Sequence, residues 1–319
     1  MGYIIGFLAS VLFGSNGSVV KVVVNSGVSA AQITFFRVVV ALLISFVILL
    51  VTERTAFRIS AKRMFGMAIL GIAGVAMLQW FYALAIARIP VGIALLFEYL
   101  AVLAVAVIAR FIFKEAVRGR IWIAIGLVLV GLAVVAQIWT SNVETLGMVF
   151  ALGAAAAYTV YFLMGERALT GMSVMSMTFW SMLFASLFWG IFSGWWQMDF
   201  SLFTENISMT GSLAAVILPM WVPLLWAVTV GSFVAFYLSF LALKHLKATS
   251  AGIVASSEVI FAFIVAWVWL GEALSLTQMV GALVVVAGII LAQTARPGKV
   301  IDLDLASRIT PKIGVASPH

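Results

Sequence analysis

Residues 92–100 of the chain read GIALLFEYL, and residues 252–260 read GIVASSEVI. When these two apolar stretches are aligned, they share a glycine, an isoleucine and a glutamate, each 160 positions apart. Further along, Glu115 and Gly131 match a glutamate and a glycine that lie 157 positions later. The chain therefore contains an internal duplication, with a three-residue difference in a connecting loop.

The composition predicts a membrane protein. Apolar residue types make up 65% of the 319 residues and charged types only 9%, whereas soluble domains have about 45–50% and about 25% respectively. We therefore expect an all-α polytopic membrane protein, and duplicated hydrophobic halves are typical of secondary transporters. The absence of cysteine excludes disulfides, thiolate metal sites and thiol nucleophiles.

The apolar stretches can be counted as membrane spans, each of which needs roughly 20 residues. The uncharged stretch 206–243 is too long for one helix, so its first part is expected to be a loop or an interfacial helix, with the span starting near Pro223. Residues 296–319 are polar and are predicted to be a tail outside the membrane. Ten transmembrane helices are predicted, at about 3–24, 30–52, 64–86, 91–112, 119–139, 146–166, 173–195, 222–243, 249–270 and 275–294.

Lysine and arginine predict the orientation. When the loops are assigned to alternate sides, 15 of the 18 basic residues fall on one side and only Arg88 and Lys21 on the other, while Arg37 lies within the second predicted helix. Because positive loops stay in the cytoplasm, both termini are predicted to be cytoplasmic. This pattern also explains the formal charge of +7, so no nucleic-acid partner is expected.

Five helices in each half place the two halves in opposite orientations. We predict two inverted five-helix repeats, 1–140 and 141–295, followed by the cytoplasmic tail 296–319. Such folds have a site near the bilayer midplane, between the halves. Glu98 and Glu258 lie about eight or nine residues from opposite membrane faces, so both are roughly 12–14 Å deep at the rise of an α-helix.

Several motifs resemble the drug/metabolite transporter superfamily in its ten-helix form with two EamA-type domains. They are FGSNGSVVK (13–21), Arg37 in the second helix, the stretch 81–115 that ends in KE, and the stretch 240–274 that contains GEA. The resemblance covers residues 1–295 and is closest to the aromatic amino-acid and metabolite exporters called YddG. It implies a ten-helix secondary transporter in a bacterial inner membrane that exports small metabolites, amino acids and aromatic ones foremost.

The sequence departs from that family at one point. Family members often have a proline just after the positions of Glu98 and Glu258, where this chain reads EYLAV and EVIFA. Gating by proline kinks at these two positions is therefore not expected.

Glu98 and Glu258 are the strongest candidates for a site. A carboxylate at the bilayer centre costs roughly 2.5–3.5 kcal/mol even on lenient scales, so it normally faces a cavity or a partner. The functional interpretation is a group that binds substrate or carries a proton. The structural interpretations are an ion pair with Lys21 or Arg37, or a protonated carboxyl group that is hydrogen-bonded within the bundle.

Other polar residues in the helices allow both functional and structural interpretations. Asn16 lies between Gly14 and Gly17, where packing alone could explain it, although the resemblance implies a role facing the substrate. Lys21 could extend to the interface or contribute to a gate, and Arg37 could pair with Glu98 or form an outer gate.

Tyrosines can mark either a membrane interface or a polar cavity, and for Tyr82 both interpretations are open. Because hydrocarbon contains no hydrogen-bond partners, we expect the polar side chains to face one central space. The candidate substrate-binding residues are Asn16, Gln79, Tyr82, Glu98, Tyr99, Tyr158, Ser257 and Glu258, and those for gating or an ion pair are Lys21 and Arg37.

Glu115 and Glu272 close the fourth and ninth predicted helices, within KEA and GEA. A carboxylate just before a helix is stabilised by the positive end of the helix dipole. We therefore interpret both residues as structural.

Catalysis has little support in the sequence. The chain contains neither a His-Glu-x-x-His zinc motif nor a G-x-x-x-x-G-K-[ST] phosphate loop, so we expect no enzyme activity, no cofactor and no metal. The expected partners are the lipid bilayer and a small-molecule substrate, amino acids or related metabolites. The alternatives are a passive channel or facilitator for small polar solutes and, last, a membrane enzyme or receptor.

The predicted orientation can be tested with tags in loops. Tags within 140–145 and 197–212 should be reachable only from outside the cell, because both loops follow outward-running helices. A tag within 52–63 is the control and should be reachable only from inside. Labelling of the 52–63 tag on intact cells would show that the orientation is reversed.

Overall fold

The computed structural model describes residues 2–112, 119–135, 144–169, 172–245, 254–255 and 257–295. Glu115, the predicted repeat boundary near residue 140 and the predicted tail lie outside these ranges. The helices are α1 (Gly2–Asn25), α2 (Ala30–Thr52), α3 (Ala61–Ile86), α4 (Val91–Glu98), α5 (Leu100–Phe111), α6 (Arg120–Val135), α7 (Thr145–Leu169), α8 (Val174–Phe192), α9 (221–245), α10 (Ser257–Leu270) and α11 (Leu276–Ala295).

Six of these helices are long and apolar enough to cross a bilayer: α1, α2, α3, α7, α8 and α9. Four shorter apolar helical stretches coincide with the other predicted spans: Val91–Val105, Arg120–Val135, Ser257–Leu270 and Leu276–Leu291. The chain is thus a mostly helical, multi-pass membrane protein, and the count of ten spans stays a prediction.

Helix α2 shows how the sequence separates lipid from protein. Leu43, Val47 and Val51 are exposed and lie four residues apart, so they form one apolar stripe along the helix. Ser45 and Leu49 lie on another face and are fully buried. The apolar stripe is suited to lipid, and the buried face packs against the rest of the bundle.

The helices pack in a regular set of pairs. Helix α1 packs against α9 and α10, and α7 packs against α3, α4 and α5. Helix α2 packs against α8, and α6 packs against α11. Three helices contain π-helical turns, namely Leu70–Ala76 in α3, Thr229–Val234 in α9 and Ala266–Leu270 in α10.

The segment between α8 and α9 contains a β-hairpin instead of the predicted loop or interfacial helix. Strand β1 (Asn206–Ser208) pairs antiparallel with β2 (Ile217–Pro219). The hairpin is tied to α10, because Trp269 Nε1 donates to the carbonyl oxygen of Met209 at 2.8 Å. Helix α9 begins at Trp221, two residues before Pro223, which agrees with the predicted start.

Helices α6 and α11 approach each other closely through glycines. A Cβ atom built on Gly131 would lie 2.8 Å from the carbonyl oxygen of Gly281 and 2.9 Å from the amide nitrogen of Val285. Small residues allow transmembrane helix backbones to come this near. The duplicated Gly131 therefore has a packing role, which a larger residue would disturb.

We predict that Gly131→Ala destabilises the protein by about 1–3 kcal/mol, the usual cost of inserting a carbon into a packed interface. Gly126→Ala is the matched control, because it lies on the same helix and a Cβ there would meet nothing within 4 Å. Thermal unfolding of the purified variants in detergent measures the difference. Equal melting temperatures for the two variants would contradict the close-packing argument.

Candidate functional site

A network of hydrogen bonds and one ion pair lies at the predicted outer end of the helices. Lys21 Nζ lies 2.6 Å from Glu272 Oε1 and donates to the carbonyl oxygen of Ile89 at 3.1 Å. The other carboxylate oxygen of Glu272 accepts from the backbone N–H of Val91 at 2.9 Å. We call these four residues the Lys21–Glu272 network. It joins α1 and the first residue of α4 to the segment just after α10.

This network corrects two expectations. Lys21 was expected to be a possible partner of Glu98 or Glu258, but it pairs with Glu272, because both lie at the same end of their helices while the two glutamates lie deeper. Glu272 was expected to interact with the helix that follows it. Its carboxylate does reach a helix N-terminus, but that of α4, in the other half of the chain.

Glu258 meets Tyr99 between α10 and the α4–α5 junction, and Tyr99 in turn meets Tyr158. The hydroxyl oxygen of Tyr99 lies 3.0 Å from Glu258 Oε2 and 2.9 Å from the carbonyl oxygen of Ala255, so it can donate to either. The ring of Tyr158 contacts that of Tyr99 edge-on, with centroids 6.3 Å apart. Tyr99, Tyr158 and Glu258 form the glutamate–tyrosine cluster, which connects α7 to α10 through Tyr99.

Glu98 is the last residue of α4 and is 8% exposed. It lies close enough to Arg37 and Glu258 for their charges to act on it. Neither Lys21 nor Arg37, however, comes within 4 Å of a carboxylate oxygen of Glu98 or Glu258 in the described part of the chain. The expected ion pairs of these two glutamates are therefore not formed in this structure.

Arg37 belongs to a third polar group, between α2 and α9. Its Nε donates to Ser232 Oγ at 2.8 Å, and Ser232 Oγ donates to the carbonyl oxygen of Ala227 at 2.7 Å. The five-residue spacing of the second bond is that of a π-turn, and Ser232 lies in the π-helical segment of α9. The π-turn thus orients the serine that holds Arg37.

Helix α1 contributes to the same region through two adjacent residues. Asn16 lies against Gly231, where a Cβ atom would overlap its side-chain amide, and a Cβ on Gly17 would overlap the hydroxyl of Tyr82. Asn16, Arg37, Tyr82 and Ser232 form what we call the arginine cluster. Tyr82 therefore lies against a neighbouring helix in the interior.

The two other candidate residues are placed differently. Gln79 is 5% exposed, and its Oε1 has no hydrogen-bond partner among the described residues. Ser257 Oγ donates to the carbonyl oxygen of Val254, three residues earlier in the chain, at 2.6 Å. The Ser257 hydroxyl group is therefore satisfied locally, in contrast to Gln79.

Two residues of these networks were missed as site candidates by the sequence analysis. Ser232 lies in a long uncharged stretch with no marker that separates it from other serines. Glu272 had a marker, its place in the duplicated GEA motif, but it was interpreted only as structural. Within the described ranges no group of three or more histidine, aspartate or glutamate residues is arranged to hold a metal ion.

The Lys21–Glu272 network should stabilise the fold. The two side chains are only 17% and 14% exposed, so Glu272→Gln leaves a largely buried ammonium group unpaired, at a cost of about 3 kcal/mol, the lower end for buried pairs. The double variant with Lys21→Gln should lose less than the sum of the single variants. Arg88→Gln breaks the exposed pair with Glu144, 3.4 Å apart, and should cost at most about 1 kcal/mol.

Thermal unfolding of the wild type, the two single variants and the double variant in detergent measures this cycle, and Arg88→Gln is measured beside them as the control. Strictly additive losses of stability for Lys21→Gln and Glu272→Gln would contradict a direct interaction between the two residues.

Comparison with known proteins gives the chain a family. The model of the EamA-like transporter family matches residues 1–137 and 145–294. Among curated proteins, none matches significantly. A solved structure titled only as a crystal structure of a protein shares 18% identity at a TM-score of 0.59, over 92% of this chain and 97% of its own, and at this identity the likeness shows the fold alone. Because the family model matches nearly the whole chain, this protein belongs to the EamA-like transporter family, whose members are membrane transporters of small solutes.

Proposed function

We propose that the protein is a secondary transporter that exports small metabolites, amino acids and aromatic ones foremost, across a bacterial inner membrane. The observation that carries this proposal is the location of its buried polar groups. Glu98, Tyr99 and Arg37 from the first half of the chain lie close to Glu258 and Ser232 from the second half. Polar groups buried within membrane-spanning helices are by default candidates for a substrate or ion pathway.

The proposed mechanism is alternating access between two inverted repeats. The packing pairs support it. When each of the first five predicted spans is exchanged with its counterpart five spans later, the α1–α9 contact becomes the α7–α3 contact, and the α1–α10 contact becomes the α7–α4 contact. Both of the resulting contacts are present. The α2–α8 and α6–α11 pairs map onto themselves. An in-plane pseudo-two-fold axis would produce this set of contacts, and rocking of one repeat against the other would move the substrate.

The Lys21–Glu272 network fits a state that is closed at the predicted outer end. It links α1 and the start of α4, in one half, to the end of α10, in the other half. Opening toward the outside would have to separate these groups. We propose that the network holds the outer side closed while a solute enters from the cytoplasm, which is the direction that export requires.

The choice of amino acids as substrates rests on the resemblance to YddG-type exporters and on the aromatic lining of the site. Tyr99 and Tyr158 contact each other, and the ring of Tyr158 lies tilted against that of Phe162 with ring centroids 4.4 Å apart. Aromatic side chains provide large apolar contact area together with a hydrogen-bonding group. This combination suits an aromatic zwitterion.

The proposal is tested by flux measurements in proteoliposomes across a panel of amino acids, with and without a proton gradient. Saturable flux with counterflow is the expected result for a transporter. Flux that does not saturate and shows no counterflow would instead indicate a channel or facilitator. Absence of flux for every amino acid in the panel would overturn the proposed substrate class.

We predict that Glu98→Gln lowers the flux by about tenfold or more while the protein still folds. The substitution retains the shape and hydrogen-bonding capacity of the side chain but removes the charge, and hydrogen bonds to charged groups are the stronger ones. Glu144→Gln is the matched control, because that carboxylate is half exposed in a surface pair. Normal transport by Glu98→Gln would remove Glu98 from the site.

A further inference from the structure

We propose that Arg37 binds a carboxylate group of the transported solute, with Asn16 beside it as an acceptor for the solute's ammonium group. This inference deepens the proposed function, on which it rests, by assigning one end of an amino-acid substrate to one named side chain. It starts from two buried atoms, Arg37 Nη1 and Asn16 Oδ1, that have no hydrogen-bond partner among the described residues.

Arg37 is held by a hydrogen bond from its Nε atom. Its Nε donates to Ser232 Oγ, whose own proton is committed to the carbonyl oxygen of Ala227. Its Nη1 is buried and has no hydrogen-bond partner in the described part of the chain. The terminal edge of a guanidinium group matches the two oxygens of a carboxylate. Arg37 is thus fixed through Nε and has Nη1 available for a ligand.

No carboxylate of the described residues forms an ion pair with Arg37, and this requires an explanation. The whole residue is 6% exposed, and a buried charge is expected to be paired and hydrogen-bonded. Glu98 acts on it electrostatically but does not come within 4 Å, which would make an ion pair. A solute carboxylate would complete the missing interaction.

Asn16 has the complementary property. Its Oδ1 is buried and has no partner among the described residues, and the side chain lies against Gly231, the neighbour of Ser232 in the chain. The residue with the unpaired donor, Arg37, contacts Ser232, and the residue with the unpaired acceptor, Asn16, lies against the adjacent Gly231. A solute that offers both a carboxylate and an ammonium group satisfies both, and Glu98 adds negative charge to the region.

The competing explanation is that Arg37 is structural and pairs with Glu98 in another conformation of the transport cycle. In that case a solute would not need a carboxylate, and loss of Arg37 would reduce binding of all solutes alike. The selectivity between solutes separates these explanations, because a general loss of folded protein cannot change a ratio of affinities.

The experiment measures binding of three probes to purified protein by calorimetry: L-phenylalanine, 3-phenylpropanoate, which lacks the amine, and 2-phenylethylamine, which lacks the carboxylate. The wild type should bind both carboxylates more tightly than the amine. Arg37→Gln should lose roughly 10- to 100-fold in affinity for the two carboxylates, as expected for a lost charged hydrogen bond, with little change for the amine. Arg37→Lys should recover part of the loss.

Two controls complete the design. Arg88→Gln also removes one positive charge, from a residue in an exposed pair, and should leave the affinities unchanged. Ser232→Ala removes the group that holds Nε and should weaken carboxylate binding less than Arg37→Gln, because the charge remains.

The outcomes for this inference and for the proposed function are distinguishable. If the wild type transports amino acids and Arg37→Gln keeps the same affinity ratio for the three probes, the carboxylate assignment is overturned and the function stands. If the wild type binds 3-phenylpropanoate through Arg37 but transports no amino acid, the assignment stands and the proposed function fails. Failure of both carboxylate probes to bind the wild type would also overturn the assignment.

Discussion

The hydrocarbon core of a bilayer contains no hydrogen-bond partners, and this constraint governs the whole structure. Every backbone group of a span must be satisfied within its helix, and every polar side chain must meet another polar group or water. In a chain with 9% charged residues, the few polar side chains within the helices are therefore drawn together. They form the Lys21–Glu272 network, the glutamate–tyrosine cluster and the arginine cluster.

Glycines and π-turns allow these groups to meet. Asn16 and Tyr82 reach their positions because Gly231 and Gly17 have no side chain that would collide with them. The π-turn at Thr229–Val234 places Gly231 toward α1 and lets Ser232 hold Arg37. The close approach of α6 and α11 rests on glycines in the same way. The glycines thus admit a polar side chain in one part of the bundle and a neighbouring helix backbone in another, in both cases because they have no side chain.

The charged groups divide into two kinds. Lys21 and Glu272 satisfy each other and two backbone groups at the end of their helices, which is the arrangement of a structural tie between the two halves of the chain. Glu98 and Arg37 lie deeper and are near each other without forming an ion pair. Under the proposed alternating access, the tie would separate when the outer side opens, and the deeper charges would be available to a charged solute.

The sequence by itself determined the class of the protein, because hydrophobicity over about 20 residues reports directly on the membrane. It also located the start of α9 near Pro223 and identified Glu98, Tyr99 and Glu258 as unusual groups within apolar helices. The depth of a residue follows from counting along a helix, so residues at similar depth could be grouped.

Only the tertiary structure decided which groups meet. The partner of Lys21 lies 251 residues away in Glu272, and that of Arg37 lies 195 residues away in Ser232. These pairings depend on the rotation of each helix about its axis and on which helices are neighbours. Hydrophobicity is weakly informative about rotation when every face of a helix is apolar. The hairpin between α8 and α9 was missed for a related reason, since its short strands are stabilised by contacts with α10 that local sequence does not reveal.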